Sequence, residues 1–185
     1  MSLFSLAKLP LSADHGWPEL ARRHPGILKV FLLLVLPLSL LPPLMLHYAG
    51  THYPEAFVPP APQRDWLAVA AVFFAAEIAS FLGMGWLIKK VADTNALAID
   101  YHDAYLLAAI APVPLWLSSL GLFIPDLAVN VALSSIAMAL SCALLYHGLQ
   151  ALGRRREEVV AAGMVQIVIG AGLIAWALLL ALAFV

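Results

Sequence analysis

Glu77 is the only charged residue in the apolar run Trp66–Ile88, and it stands eleven residues from either end. At helical rise that is ~16 Å from each end, near the midplane of a bilayer-spanning helix. An ionised carboxylate there costs on the order of 3 kcal/mol on insertion scales. The expected state is therefore a neutral, hydrogen-bonded acid facing the bundle interior, with Ser80 one turn away on the same face. Such an acid can exchange a proton or hold a cation. Pro112 and Pro114 supply a second ingredient. Each removes a backbone donor, which frees carbonyls one turn earlier, around Ala108 and Ile110. The prolines lie eight to ten residues into their own apolar run, ~12–15 Å deep and close to the depth of Glu77. Transporters build midplane sites from a broken helix beside an intramembrane acid. Ordinary bundles use the same parts as glue, the acid bonding a freed carbonyl. With Ser118 and Gln166, these residues (Glu77, Ser80, Pro112, Pro114) form the candidate intramembrane polar site.

Asp100-x-His102-Asp103 could ligate a divalent metal if another segment joined it, but a solvated loop and helix cap explain the same residues. No metal and no cofactor are expected. The sequence contains no H-E-x-x-H, G-x-S-x-G or phosphate-loop pattern and no paired intramembrane Asp, so no catalytic residues are assigned. A lipid-directed intramembrane enzyme would rest on His102, Asp103 and Glu77 alone. Cys142, the single cysteine, lies inside an apolar stretch and is read as packing.

Five apolar stretches must position these groups. The spacing predicts an all-α integral membrane protein, a five-helix transmembrane bundle over residues 27–185, with spans at about 27–48, 66–88, 104–124, 127–149 and 159–184. Residues 1–26 read as a cytoplasmic segment in which Trp17-Pro18-Glu19-Leu20-Ala21-Arg22-Arg23 forms a short interfacial helix. Met1–Leu11 is too short and too weakly apolar to read as a cleavable signal peptide. Pro37 and Pro42-Pro43 predict a kink in the outer third of the first span. Pro54, Pro59, Pro60 and Pro62 predict an extended loop over Gly50–Asp65. Asp103 and Asp126 are the expected caps of the third and fourth spans. Ser118, Ser119, Asn130, Ser134, Ser135, Ser141 and Gln166 are expected to bond between helices, alongside Ala75, Ala79, Ala137 and Gly170 as close-approach positions.

The composition supports this architecture: 63% of the 185 residues are hydrophobic and only 11% are charged, against roughly a quarter charged in soluble domains. The basic residues are sorted between sides. Lys8, Arg22, Arg23 and Lys29 lie before or at the start of the first span, Lys89 and Lys90 after the second, and Arg154–Arg156 after the fourth. Arg64 alone falls in the first gap. Cytoplasmic loops retain Lys and Arg, so the N-terminus is expected inside and the C-terminus outside. That places His15, His24, His102 and His147 inside, and His47 and His52 outside. No basic tract with interleaved aromatics suggests nucleic acid.

The later spans carry a further pattern. Tyr105-x6-Pro112-x-Pro114-x-Trp116, then Pro125 at the outer turn, then Tyr146-x-Gly148-Leu149 before a charged loop, resembles the Yip1 family, most closely its small bacterial inner-membrane branch. The resemblance covers Tyr101–Val185, with His24-Pro25-Gly26 and Pro37 matching more loosely. It implies five spans with a cytosolic N-terminus. Eukaryotic members act in Golgi and secretory trafficking and associate with Rab GTPases and with one another. The Asp-Leu-Tyr-Gly-Pro type motif of those members and their long N-terminal region are not found here, so a GTPase partner is not carried over.

The expected function is a non-enzymatic multi-pass scaffold or interaction protein of the bacterial inner membrane, linked to membrane organisation or trafficking. Its partners would be the lipid bilayer and a second copy or another membrane protein, with no nucleic acid and no identifiable small-molecule substrate. The alternative is a small oligomeric transporter or channel using Glu77 and the Pro112/Pro114 break.

Overall fold

The computed structural model describes residues 16–17, 20, 25–53, 55, 65–95, 97–152 and 158–184. They form five long helical elements: α1 (Ile27–His52), α2 (Trp66–Thr94), α3 (Tyr101–Phe123), α4 (Leu127–Leu152) and α5 (Glu158–Phe184). The first four are long and apolar enough to cross a bilayer, and α5 carries a shorter apolar stretch, Ala162–Ile174. Large apolar side chains such as Leu33, Leu67, Ile136 and Ile174 face outward, as hydrocarbon-facing surfaces require. The proline-rich outer loop and the Arg154–Arg156 loop lie outside the described residues.

The helices run past several of the expected span ends, because their polar termini are supported locally. The last turns of α2 pair Lys89 with Asp93, and Lys89 lies 5.4 Å from the centroid of the Tyr101 ring. The Asn95 amide then donates to the Val91 carbonyl at 2.8 Å. At the start of α2, Asp65 accepts from the backbone N–H groups of Leu67 and Ala68, both at 3.1 Å. Asp126 caps α4 through Val129 N–H at 3.0 Å. The cap of α3 differs from the expectation. The helix begins at Tyr101, and Asp100 rather than Asp103 is the cap, accepting from Asp103 N–H at 2.8 Å. Four residues accommodate both Asp side chains at this N-terminus, and the earlier one holds the geometry that reaches N3.

Prolines divide two of the helices. In α1 a π-helical turn, Phe31–Val35, precedes Pro37, and a second irregularity at Leu40 precedes Pro42 and Pro43. A widened turn gives the proline ring room against the carbonyl four residues back. In α3 the α-helix stops at Ile110, resumes at Val113–Ser118 beyond Pro112, and tightens to a 3₁₀ helix at Ser119–Phe123. The two divided helices meet. Parts of α1 beyond Pro37 pack on the Val113–Phe123 half of α3, while the Tyr101–Ile110 half packs on α2. Helix α5 lies against α2 and α4.

Glycine permits the closest approaches. A side chain at Gly50 would collide with the Trp66 indole, one at Gly85 with the Tyr105 ring, and one at Gly148 with Leu107 and Trp17. Trp17 and Leu20, which precede the first span, are only 0% and 4% exposed and belong to the central core with Leu107, Leu145 and Leu149. Gly16, with φ of 94°, starts this turn, and Leu20 N–H bonds its carbonyl at 3.0 Å. Trp17 is thus inserted in the bundle rather than resting at an interface.

The small-residue and hydroxyl expectations are corrected in part. Ala137 is buried, but Ala75 and Ala79 are exposed, and nothing stands within 4 Å of a side chain built at Gly170. Ser118, Ser119 and Ser135 donate to carbonyls of their own helix, Leu115, Trp116 and Val131, at 2.6–2.8 Å. The Asn130 amide closes the α3–α4 turn, donating to Ile124 and Asp126 carbonyls, each at 2.8 Å. Carbonyls three or four residues back are always within reach of a short polar side chain, whereas another helix is not.

Candidate functional site

Glu77 sits on the fourth turn of α2, half-buried, and Trp116 from the far half of α3 meets it. The Trp116 side chain is only 5% exposed, and its indole lies beside the Glu77 carboxyl. The second carboxyl oxygen, Oε2, is buried and has no partner among the described residues. No hydrogen bond joins Glu77 to the carbonyls of Ala108 or Ile110. The proline break acts differently. It reorients the chain after Ile110, and Trp116 follows within the resumed helix, its backbone N–H donating to the Pro112 carbonyl at 3.0 Å. Pro112 and Pro114 thus shape the site by placing Trp116.

Of the other expected site residues, Ser80 is half-buried on α2. Ser118 is engaged with its own helix. Gln166 does not join this site: it is exposed on α5, whose packed face carries Met164 and Val168 instead.

The residues of the tyrosine–proline pattern have separate structural tasks. Tyr105 lies over Gly85, donates its hydroxyl to the Leu82 carbonyl at 3.3 Å, and makes an edge contact with Phe81 at 5.8 Å between centroids. Phe81 in turn meets Phe31 of α1 at 5.7 Å. Tyr105 therefore links α3 to α2, and through Phe81 to α1. Gly148 opens the slot that Trp17 fills. Tyr146 contacts its neighbour His147 edge-on at 5.4 Å. Sequence reasoning missed the roles of Trp17 and Gly85. Glycine in a helix facing an aromatic on a neighbour was the available signal.

The Asp100, His102 and Asp103 ligand atoms lie within 4.8 Å of one another, but the side chains are already engaged. Asp100 caps α3, and His102 Nε2–H donates to the Pro25 carbonyl at 2.9 Å. This bond ties the approach to α1 to the start of α3. The neighbouring groove, between Pro25, Phe81, His102 and Tyr105, is too shallow to enclose a water molecule.

Long helices with an apolar outer surface, an internal acid answered by an indole, and aromatic rings seated on glycines define a polytopic α-helical membrane protein. The sequence profile of the Yip1 domain matches residues 9–179, and the chain belongs to the Yip1 family. No curated protein and no solved structure matches it.

Proposed function

We propose that this protein is a non-enzymatic multi-pass scaffold of the bacterial inner membrane, which holds partner membrane proteins and so contributes to membrane organisation. The observation that carries the reading is the family match over residues 9–179. The contact between Glu77 and Trp116 supports it, because the one intramembrane acid is used to join α2 to α3. The topology follows from the distribution of Lys and Arg, with residues 1–26 and the N-terminus cytoplasmic and the C-terminus external. Crosslinking in native membranes, followed by identification of the adducts, is expected to yield a specific and reproducible protein contact. A chain that crosslinks to nothing at native abundance would refute the scaffold.

A second reading, proton or cation passage through an oligomer, is favoured by one observation, the orphaned Oε2 of Glu77. A hydrophobic carbodiimide adds a protonated carboxylic acid across its N=C=N group, giving an O-acylisourea that rearranges to a stable N-acylurea. Labelling at Glu77 is expected under either reading, and Glu77→Gln abolishes it. The readings divide on flux. Under the scaffold reading, Glu77→Gln leaves proton leak through proteoliposomes unchanged. A pH-dependent flux lost in that variant would establish transport instead.

A further inference from the structure

The break in α1 stands beside Glu77. Two contacts fix the antiparallel register of α1 and α2. Gly50 lies against the Trp66 indole near the outer ends, and Phe31 meets Phe81 at 5.7 Å further in. Interpolating between them sets Glu77 level with the segment Leu36–Ser39. That segment packs both on α2 and on Val113–Ser118, the part of α3 that carries Trp116. Ser39, Pro43 and Gly50 recur at helical spacing on one face of α1. All three are buried, and Gly50 shows that this face is turned to α2.

The backbone at this level lacks a donor. Pro42 and Pro43 have no N–H to give the carbonyls of Leu38 and Ser39. Leu40 N–H takes up the Leu38 carbonyl, and the next donor along the chain, Leu44 N–H, goes to Leu40 at 3.2 Å. The Ser39 hydroxyl donates to the Leu36 carbonyl at 3.3 Å. The Ser39 carbonyl is thus left without a helical donor, inside a residue that is 0% exposed. Glu77 Oε2 is buried and also has no partner among the described residues. Unpaired polar groups are costly in hydrocarbon, and carbonyls freed by proline are re-satisfied there by side chains or ordered water. A neutral carboxyl donates as well as accepts, whereas a carbonyl only accepts. The two orphaned oxygens are therefore complementary.

We propose that Glu77 and the Ser39 carbonyl form one proton-holding site, in which the carboxyl proton is donated to the carbonyl directly or through a single water. Trp116 closes the site on the α3 side. The prolines that serve the acid are Pro42 and Pro43 of α1, and not Pro112 and Pro114. The site rests on neither functional reading: in a scaffold it clamps α2 to the broken α1, and in a conducting protein it is where the proton resides. Infrared spectra of the full chain in an ester-free detergent test it. The C=O absorption of a protonated carboxyl is expected at the lowered frequency of a hydrogen-bonded acid, and Glu77→Gln removes it. Pro43→Ala returns an N–H to the Ser39 carbonyl, so the band should move up toward the frequency of a free acid. Pro37→Ala, which returns a donor to the carbonyl of the outward-facing Leu33, should leave it in place. In a double-mutant cycle, the effect of Glu77→Leu on the folding equilibrium constant should differ about 3-fold or more between the native and Pro43→Ala backgrounds. A native band already at the free-acid frequency would overturn the site without recourse to any proline variant. A band indifferent to Pro43→Ala, or additive effects in the cycle, would do the same. None of these readouts is a flux or a crosslink, so failure of this site is distinct from failure of either functional reading.

Discussion

Gly148→Leu is expected to drive Trp17 out of the bundle. A Cβ at position 148 already overlaps the side chains of Leu107 and Trp17, and a leucine adds three further carbons. Leu107 is fully buried among other core residues and has nowhere to move. Trp17 is the element that can yield, because only a short segment ties it to α1. Overpacking of this kind costs about 1–3 kcal/mol. Two measurements check it. The detergent-solubilised variant should unfold at lower denaturant than the native protein. Trypsin, which cuts after Arg22 and Arg23, should cleave it faster. Gly83→Leu is the control, since nothing stands within 4 Å of a side chain at that position. Unchanged cleavage in Gly148→Leu would mean that Trp17 does not occupy this slot.

Tyr105→Ala is expected to have the largest effect on stability. The ring is seated on Gly85 and contacts Phe81, which in turn contacts Phe31. Truncating it removes the ring contact between α3 and α2 that backs Phe81 against α1, and leaves a gap that Gly85 cannot fill. Loss of a fully buried aromatic ring costs about 3–5 kcal/mol, and for the half-buried Tyr105 a loss toward the lower end of that range is expected. Dispersion between packed atoms is lost in a membrane as it is in a soluble core. Tyr105→Phe keeps the ring and removes only the bond to the Leu82 carbonyl, worth about 1 kcal/mol. That carbonyl also accepts within its own helix, so nothing buried is left wholly unsatisfied. The losses of unfolding free energy in the two variants should therefore differ several-fold. Equal losses would place the weight of this contact on the hydroxyl rather than on the ring.

These residues show where reading the chain succeeded and where it stopped. The helices were legible in outline because a stretch of apolar residues with prolines and turn residues at its ends marks a helix, although several helices run on past the apolar stretch. The breaks in α1 and α3 were legible for a similarly local reason: proline lacks a donor and collides with the carbonyl four residues back. Asp126 as a cap was legible too. The cap of α3 was misassigned to Asp103, because two acids three residues apart fit the same motif and only backbone geometry distinguishes them.

Glu77 and Gln166 were grouped as polar residues inside apolar stretches. Depth is one coordinate. Rotation about the helix axis is another, and α5 is apolar on every side, so its composition marks no inner face. Contact with α2 and α4 turned Met164 and Val168 inward and Gln166 outward. Trp17 was misplaced for a related reason. Its neighbours Pro18, Glu19, Arg22 and Arg23 suit an interface, and the slot that buries it is built from α3 and α4, far along the chain.

The sequence by itself determined the family, the all-helical membrane class, and the presence of proline breaks in two of the helices. Each of those depends on residues adjacent in the chain or on their bulk transfer into hydrocarbon. The tertiary structure decided which side of each helix faces which neighbour. It paired Glu77 with Trp116, seated Trp17 against Gly148, and left Gln166 facing away from the bundle. In hydrocarbon the hydrophobic effect does not sort inner from outer faces. That sorting rests on close packing, and close packing exists only once the helices have met.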